Sequence, residues 1–191
     1  MSTDWDEYAE QWEKDPSTAA YADKVFETLN NMVSLSGLKV LDFGCGTGLL
    51  TQKLSPLVKE VVALDSSEMM IEQLDAKELP NVEPVVDALS RGLVAYHPAF
   101  RTQFDLIVAS SVCGFLDDFQ QGAEIIASLL DDGGLFVHWD WLAASSEDGM
   151  TEQKIKATLT KAGFSSVETK VGFTIETAMG EKTVVMGIGQ K

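Results

Sequence analysis

The fold of this chain is decided by residues 40–51, Val40-Leu41-Asp42-Phe43-Gly44-Cys45-Gly46-Thr47-Gly48-Leu49-Leu50-Thr51. An apolar run ends in an acidic residue, alternate glycines follow, and a helical pattern comes next, which together predict a strand, a tight loop and a helix. Glycine adopts positive φ and lets a ligand lie against bare backbone, so the loop is expected to form a cradle at a helix N-terminus. Many nucleotide-binding proteins share this spacing, and the rest of the chain has to identify the ligand.

Strands and helices alternate along most of the remaining sequence. Near-continuous Val, Ile and Leu strands separated by helical patterns predict a parallel sheet with helices on both faces. The last two strands are joined by a short link, which favours an antiparallel hairpin at one edge. The predicted strands are residues 60–65, 82–87, 104–109, 135–139, 167–176 and 183–188, the helices are 49–57, 68–78, 119–130 and 151–162, and a turn is expected at 131–134.

The N-terminal region predicts two helices that precede this core. Trp5, Tyr8 and Trp12 lie at i, i+3 and i+7 and form one aromatic face of a short helix. Residues 14–17 break the pattern, and a second helix is expected over residues 19–34. Two interpretations of the aromatic face stay open at this point, a lid over a ligand and a stripe that packs on the core.

Length and composition describe a single acidic domain. The chain has 191 residues, of which 45% are hydrophobic, enough for one full core. The formal net charge of −16 argues against a nucleic-acid or anionic-membrane surface, because phosphate binding relies on clustered Lys and Arg. No signal-peptide or membrane-span pattern is visible. The cysteines form no framework, which indicates a cytoplasmic setting in which each is a small buried hydrophobe.

Acidic residues end three consecutive predicted strands. Asp42 ends the first strand before the glycine loop, Asp65 ends the second strand and Asp87 ends the third. Ligands of such sheets lie beyond the carboxyl ends of the strands, and a carboxylate about 20 residues after the loop accepts the hydrogen bonds of a ribose diol. Asp65 stands at that distance. Because the three acids are in register with one glycine loop, they favour a site for an adenosine ligand over the interpretation that each acid merely forms a turn.

The loop also separates the candidate ligands from one another. A dinucleotide needs an open helix N-terminus for its pyrophosphate, which Asp42 at the mouth of the loop would repel. The Lys of a phosphate-binding P-loop is missing, so a nucleoside triphosphate is disfavoured. A nicotinamide-dependent reductase is disfavoured for the same reason as other dinucleotide binders. A ligand with a ribose, an adenine and a cationic amino-acid end fits this loop best.

These motifs resemble class I S-adenosylmethionine-dependent methyltransferases. The resemblance rests on residues 42–48, Asp65, residues 87–88 and residues 104–111. It implies an α/β fold of the Rossmann-like, doubly wound type, with a seven-stranded, mostly parallel sheet and an antiparallel C-terminal hairpin strand. It also implies one methyltransferase domain over residues 1–191, with a helical lid or cap in residues 1–35 and the Rossmann-like core in residues 37–191.

The same resemblance implies S-adenosyl-L-methionine as cofactor and S-adenosyl-L-homocysteine as product. The glycines of the loop would line the methionine part, Asp42 would hold its amino group, and Asp65 the ribose hydroxyls. Further residues would surround the adenine or offer a carbonyl to the amino group. The implied cofactor residues are Asp42, Gly44, Gly46, Gly48, Asp65, Ser66, Met70, Asp87, Ala88 and Ala109.

The aromatic N-terminal face resembles the lid helix of the small-molecule branch of this family, which includes ubiquinone- and menaquinone-type enzymes. One departure concerns residues 113–116, where many members carry a His or Glu-His pair and this chain has Cys-Gly-Phe-Leu. That difference leaves the methyl acceptor open. The expected substrate pocket consists of Tyr8, Trp12, Phe115, Trp139 and Trp141.

Candidate catalytic residues follow from the end of the fifth predicted strand. His138 and Asp140 lie there, and a neutral imidazole near pH 7 accepts a proton from an acceptor group. A lone histidine in an apolar strand is also a common core residue, and that interpretation stays open for His138. No metal site is predicted.

The sequence thus predicts a cytoplasmic methyltransferase that acts on a small molecule by in-line displacement. Its expected partner is the small-molecule acceptor, without nucleic acid or a membrane span. Two alternatives stay open, a non-catalytic S-adenosylmethionine-binding sensor or partner subunit, and a protein methyltransferase for which the acidic surface suits a basic substrate. Neither the acceptor atom nor the oligomeric state follows from the residues.

Overall fold

The computed structural model describes residues 4–145 and 149–191, so residues 1–3 of the expected lid lie outside the described part. The chain divides into two compact units, with the division between Ala88 and Leu89. The expectation of a single domain over residues 1–191 stays a prediction.

The first unit holds the N-terminal segment and three parallel strands. β1 and β2 are parallel, with Lys39 opposite Glu60 and Phe43 opposite Leu64, and β2 is also parallel to β3. β1 and β2 are apolar and buried on both faces, as parallel strands covered by helices require. The elements are a 3-10 helix Trp5–Tyr8, α1 Ala9–Trp12, α2 Pro16–Met32, β1 Lys39–Phe43, α3 Thr51–Leu54, β2 Glu60–Asp65, α4 Glu68–Asp75 and β3 Val82–Val86.

Local sequence explains where the longer helices of this unit begin. The Asp15 side chain accepts a hydrogen bond from Ser17 N at 2.8 Å, and Pro16 occupies the first turn of α2, where its missing N–H has no consequence. Ser67 caps α4 in the same way, with 3.1 Å from Met70 N to its Oγ. Only two residues thus separate α4 from the end of β2, which brings the first turn of α4 beside Asp65.

The second unit holds the other four strands. β4 and β5 are parallel, whereas β7 is antiparallel to both β5 and β6. Two 3-10 helices, Pro98–Phe100 and Cys113–Phe115, precede and follow β4. The other elements are α5 Arg91–Tyr96, β4 Phe104–Ser110, α6 Phe119–Leu129, β5 Leu130–Trp141, α7 Glu152–Lys161, β6 Ser166–Thr177 and β7 Gly180–Gln190.

The strand order is β3-β2-β1-β4-β5-β7-β6 in one seven-stranded sheet. β7 runs against its two neighbours, and the other strand pairs given above are parallel. The predicted α/β, Rossmann-like, doubly wound fold with an antiparallel C-terminal hairpin strand is therefore confirmed. None of the helices in the described ranges combines the length and the apolar character that crossing a membrane demands.

Two local predictions were wrong, and one helix was missed. The helix expected over residues 49–57 is limited to Thr51–Leu54, because Pro56 lacks an N–H and resists helix continuation. The turn expected at residues 131–134 is an irregular part of β5, where pairing with β4 passes from Phe104–Leu130 to Leu106–Leu135. α5 was missed because its six residues bury one side chain and show no helical stripe.

Candidate functional site

The glycine loop is folded against the end of β2. Gly44 N and Cys45 N both donate to the carbonyl oxygen of Leu64, at 2.7 and 3.1 Å. Gly46 N donates to Asp65 Oδ2 at 2.8 Å, so the loop and the carboxylate at the end of β2 are joined directly. The sequence predicted that these two features act together, and the structure places them in hydrogen-bond contact.

Two glycines of the loop are required by conformation and by space. Gly48 has φ 83°, and a Cβ there would collide with the Leu74 side chain of α4. Gly46 has φ 55°, and a Cβ there would point at Met70 Sδ and Trp12 Nε1, each 3.9 Å away. Gly48 therefore lets α4 pack on the loop, and Gly46 presents bare backbone toward the N-terminal segment.

Asp65 is held in one orientation by backbone donors. Its Oδ2 accepts from Gly46 N, and its Oδ1 accepts from Ser67 N at 3.0 Å. Burial raises the pKa of Asp65 and the charge of Asp6 adds to this, while the backbone hydrogen bonds oppose it. Each oxygen keeps a lone pair beyond these bonds, which is what a ribose diol needs as acceptor.

Asp42 is a buried acid with one oxygen unused. Its side chain is 1% exposed, and Oδ2 accepts from Thr51 Oγ1 at 2.6 Å. Oδ1 has no hydrogen-bond partner among the described residues. Burial, countered by the Thr51 hydrogen bond and reinforced by the charge of Asp65, raises the pKa of Asp42 to about 7. A cationic ammonium group near Oδ1 would satisfy this acceptor and stabilise its charged form.

The N-terminal aromatic segment (residues 4–12) packs on the same loop. The ring of Trp5 lies 5.9 Å from that of Trp12 in an edge arrangement and 6.1 Å from that of Tyr8. Trp12 in turn borders the bare backbone of Gly46. Both interpretations of this aromatic face, a lid and a stripe packed on the core, stay predictions.

The remaining cofactor candidates occupy different settings. Ser66 is exposed, and Met70 is buried beside Gly46. Asp87 N donates to the Asp65 carbonyl oxygen at 3.0 Å, and the exposed Asp87 carboxylate accepts from Ala88 N at 2.7 Å. In the second unit Ala109 is fully buried in β4 and pairs with His138. The individual cofactor roles of these residues remain predictions.

His138 and Asp140 form a buried pair in the second unit. His138 Nδ1 and Asp140 Oδ2 lie 2.7 Å apart, and Asp140 Oδ1 accepts from Gly114 N at 2.8 Å. The imidazole is fully buried and stacks on Phe136, with ring centres 5.2 Å apart. Asp140 therefore fixes the turn after β4 and the orientation of His138. The catalytic assignment of the two residues stays a prediction.

Cys113 completes a buried cluster with this pair. The candidate ligand atoms of Cys113, His138 and Asp140 lie within 4.8 Å of one another, a spacing that could hold a metal ion. Burial, with the nearby charge of Asp140, raises the pKa of the Cys113 thiol well above its usual value. A protonated thiol is a poor ligand, and the His138–Asp140 hydrogen bond already uses the facing nitrogen. The cluster therefore favours a hydrogen-bonded pair.

The predicted substrate-pocket residues differ in exposure. Tyr8 and Phe115 are 49% and 53% exposed, whereas Trp139 is fully buried, as a core side chain is. Trp141 lines a cleft of about 550 Å³ together with Lys182, whose Nζ lies 5.6 Å from the centre of the indole ring. Contacts of all these residues with substrate stay predictions.

Sequence reasoning missed Asp6, Thr51 and Lys77. Thr51 is the hydrogen-bond donor to Asp42, and its place in the first turn of α3 was a readable signal. Asp6 and Lys77 tie the N-terminal aromatic segment and its neighbour Glu13 to the cradle across more than 60 residues of sequence. No local pattern carries that information.

Comparison with known proteins identifies the family. A family model described as a methyltransferase domain matches residues 41–136, half of the chain. The chain belongs to the methyltransferase-domain family. An uncharacterised methyltransferase of Schizosaccharomyces pombe is 32% identical over 61% of this chain and 43% of its own length. A ubiquinone biosynthesis O-methyltransferase of Caulobacter sp. strain K31 is 30% identical over 56% and 42%. The chain spans less than half of these relatives.

Solved structures agree on the fold of this methyltransferase domain. A structure of a methyltransferase with the Haloferax volcanii Trm112 methyltransferase activator has a TM-score of 0.78 at 15% identity, covering 100% of this chain and 98% of the other. The N-methyltransferase NodS of Bradyrhizobium japonicum, in complex with S-adenosyl-L-homocysteine, has a TM-score of 0.71 at 16% identity and 99% coverage of both. Family membership confirms the resemblance to class I methyltransferases and their S-adenosylmethionine cofactor.

Proposed function

We propose that this chain transfers the methyl group of S-adenosylmethionine to a small-molecule acceptor. The observation that carries the proposal is the cradle of the first unit, where Gly46 fixes Asp65 and Asp42 keeps a buried oxygen unpartnered. A relative named for ubiquinone biosynthesis supports an acceptor of small size.

Each residue of the cradle has a distinct task in this proposal. Asp65 accepts hydrogen bonds from the ribose hydroxyls, and Asp42 accepts from the ammonium group of the amino-acid end. Trp12 and Met70 border Gly46 and exclude water from the loop. The bound cofactor supplies an activated methyl group, so the chain accelerates transfer mainly by holding the acceptor close and in line.

Proton removal is required only where the attacking atom of the acceptor carries a proton that must leave. His138 and Asp140 are the candidates for this step. They also have a positioning task, because Asp140 holds the turn that follows β4 through Gly114 N and orients His138 through their buried hydrogen bond. A positioning task needs no contact with the acceptor.

The cofactor assignment is tested by isothermal titration of S-adenosylhomocysteine into the wild type and Asp65→Ala. We expect at least a hundredfold loss of affinity in the variant, because both ribose hydroxyls lose a charged acceptor. Asp75→Ala, which removes an exposed acid of α4, is the matched control and should bind like the wild type. Unchanged affinity in a folded Asp65→Ala variant would contradict the ribose assignment.

The acceptor class is tested with methyl-labelled S-adenosylmethionine and a size-fractionated cell extract. Label in the low-mass fraction supports the proposal, and label in the protein fraction supports a protein methyltransferase. Tight binding of S-adenosylhomocysteine without transfer to any fraction supports the non-catalytic sensor or partner subunit. The three outcomes are mutually distinguishable by the fraction that carries the label.

A further inference from the structure

Asp6 connects the N-terminal aromatic segment to the first turn of α4. It lies on the 3-10 helix Trp5–Tyr8, and its Oδ1 accepts hydrogen bonds from Ser67 Oγ at 2.5 Å and from Met69 N at 3.3 Å. The backbone of Asp6 is itself held, because its N donates to Asp4 Oδ1 at 3.2 Å. The Asp6 carboxylate thus connects the segment to α4, and the Asp6 backbone is itself held in place by Asp4.

Ser67 is shared between this contact and the proposed ribose site. Its N donates to Asp65 Oδ1, and its Oγ accepts from Met70 N while it donates to Asp6. Ser67 therefore joins the Asp6 carboxylate, the Asp65 carboxylate and α4. Movement of Asp6 away from α4 would leave the Ser67 hydroxyl without its acceptor.

A second tie holds the other end of the segment. Lys77 Nζ lies 2.6 Å from Glu13 Oε1 and 3.2 Å from Gln52 Oε1. Partial burial raises the pKa of Glu13, but hydrogen bonds with Lys77 and Thr47 outweigh it and leave the pKa lowered. Between the two ties Trp12 borders the glycine loop, so the segment is fastened on both sides of the position where it covers bare backbone.

Like charges oppose this closed arrangement. The charge of Asp6 adds to the effect of burial in raising the pKa of Asp65, so the two carboxylates on either side of Ser67 repel each other. Ribose hydroxyls that donate to Asp65 would disperse its charge and weaken the repulsion. Ligand binding and closure of the segment then favour each other, and the coupling acts in both directions.

We propose that Asp6 is a positioning residue of the cofactor site, which latches the N-terminal aromatic segment onto the turn after Asp65 so that cofactor binding and lid closure are coupled. The proposal rests on the proposed function, because it takes the ligand of Asp65 to be the cofactor ribose. Asp6 acts through Ser67 and the segment and needs no contact with the cofactor.

The test measures how fast S-adenosylhomocysteine leaves the full chain, by competition stopped-flow on tryptophan fluorescence, and how fast the amides of residues 5–12 exchange with solvent. For Asp6→Ala we expect dissociation to accelerate about five- to tenfold and exchange of the segment to accelerate with it, because the hydrogen bonds from Ser67 Oγ and Met69 N to the Asp6 carboxylate are lost. Asp6→Asn keeps an acceptor oxygen for both donors and should recover most of the wild-type rate.

Glu7→Gln is the matched control, since Glu7 is an exposed acid of the same turn that makes none of these contacts. It should match the wild type in both measurements. Asp6→Ala in a Ser67→Ala background should add little to the single changes, because the latch needs both partners. Thermal unfolding of each variant shows whether the fold is retained.

Separate results decide the latch and the proposed function. If the wild type fails to bind S-adenosylhomocysteine, the proposed function is overturned and the latch with it. If the wild type binds, but a folded Asp6→Ala variant keeps wild-type dissociation and exchange, the latch is overturned while the cofactor site stands. Additive effects of Asp6→Ala and Ser67→Ala would also overturn the latch.

Discussion

Asp42 should make the stability of this protein and its cofactor affinity respond to pH in opposite directions. Burial, despite the hydrogen bond from Thr51, raises its pKa from the ordinary value of 3.8 to about 7. The folded state therefore prefers the protonated acid. Its contribution to stability is fully present below pH 3.8 and is lost as the pH rises through about 7.

The size of this effect follows from the difference between the two pKa values. The difference between the folded and the ordinary pKa of Asp42 corresponds to at most about 4 kcal/mol of folding free energy, of which about 2 kcal/mol is lost between pH 5 and 7. Asp42→Asn removes the titration and keeps the shape. The stability of Asp42→Asn relative to the wild type should increase as the pH rises, and this gap in unfolding free energy should reach roughly 2 to 4 kcal/mol by pH 8.

Urea unfolding of the ligand-free protein at pH 5, 6, 7 and 8 measures this gap. The exposed acid Asp75 provides a control, since Asp75→Asn should follow the wild type at every pH. Parallel stability profiles for the wild type and Asp42→Asn would refute the reasoning, because they would show that Asp42 does not titrate in this window.

Cofactor affinity supplies the second half of the same prediction. An ammonium group favours the charged form of Asp42, so binding below pH 7 must first remove a proton. Affinity for S-adenosylhomocysteine should rise up to tenfold per pH unit toward pH 7 and then level off. Asp42→Asn should bind more weakly and lose this dependence. A pH-independent wild-type affinity would show that the ammonium group binds elsewhere.

Other parts of the structure give further predictions. Gly48→Ala should lower the unfolding free energy by about 3 kcal/mol in urea, because left-handed strain and a collision with Leu74 combine. Gly37→Ala, with φ 81° and open space around it, should lose only about 1 kcal/mol, and equal losses would contradict the collision. Asp140→Ala should lower the unfolding free energy by about 3 kcal/mol and lower Tm measurably, because Gly114 N–H and the buried His138 imidazole lose their acceptor, whereas Asp140→Asn should retain most of that stability. Both cysteines are buried with raised thiol pKa values, so a thiol reagent at pH 8 should label neither in the native protein and both in urea, and rapid native labelling would contradict their burial.

The strands of the sheet were predictable because their apolar runs are intrinsic to the sequence. β2 matches its predicted range of residues 60–65, and β1, β3 and β4 differ by a residue or so. Elements that depend on distant neighbours were not. α5 is short and has almost no apolar stripe. The irregular start of β5 is stabilised by hydrogen bonds to the backbone of Lys191, in which Gly133 N donates and the Gly134 carbonyl oxygen accepts.

In the candidate site, too, local features could be predicted from the sequence and long-range contacts could not. The glycine spacing and the acid at the end of β2 were readable, because backbone geometry and strand ends leave local signatures in sequence. The contacts of Asp6 with Ser67 and of Lys77 with Glu13 join residues more than 60 positions apart. The burial of His138 and Trp139 likewise depends on what packs against β5. Periodicity alone cannot supply such pairings.

The acidity of the cradle has a consequence for turnover. Asp42, Asp65 and Asp6 place three carboxylates in one unit, two of them buried or half-buried. When the methyl group leaves, the sulfur of the cofactor loses its positive charge, and the attraction between that sulfur and the carboxylates disappears. If S-adenosylmethionine binds this cradle as proposed, we expect the spent cofactor to be held less tightly than the fresh one. The cradle would then limit inhibition by the reaction product, and added salt should diminish this effect.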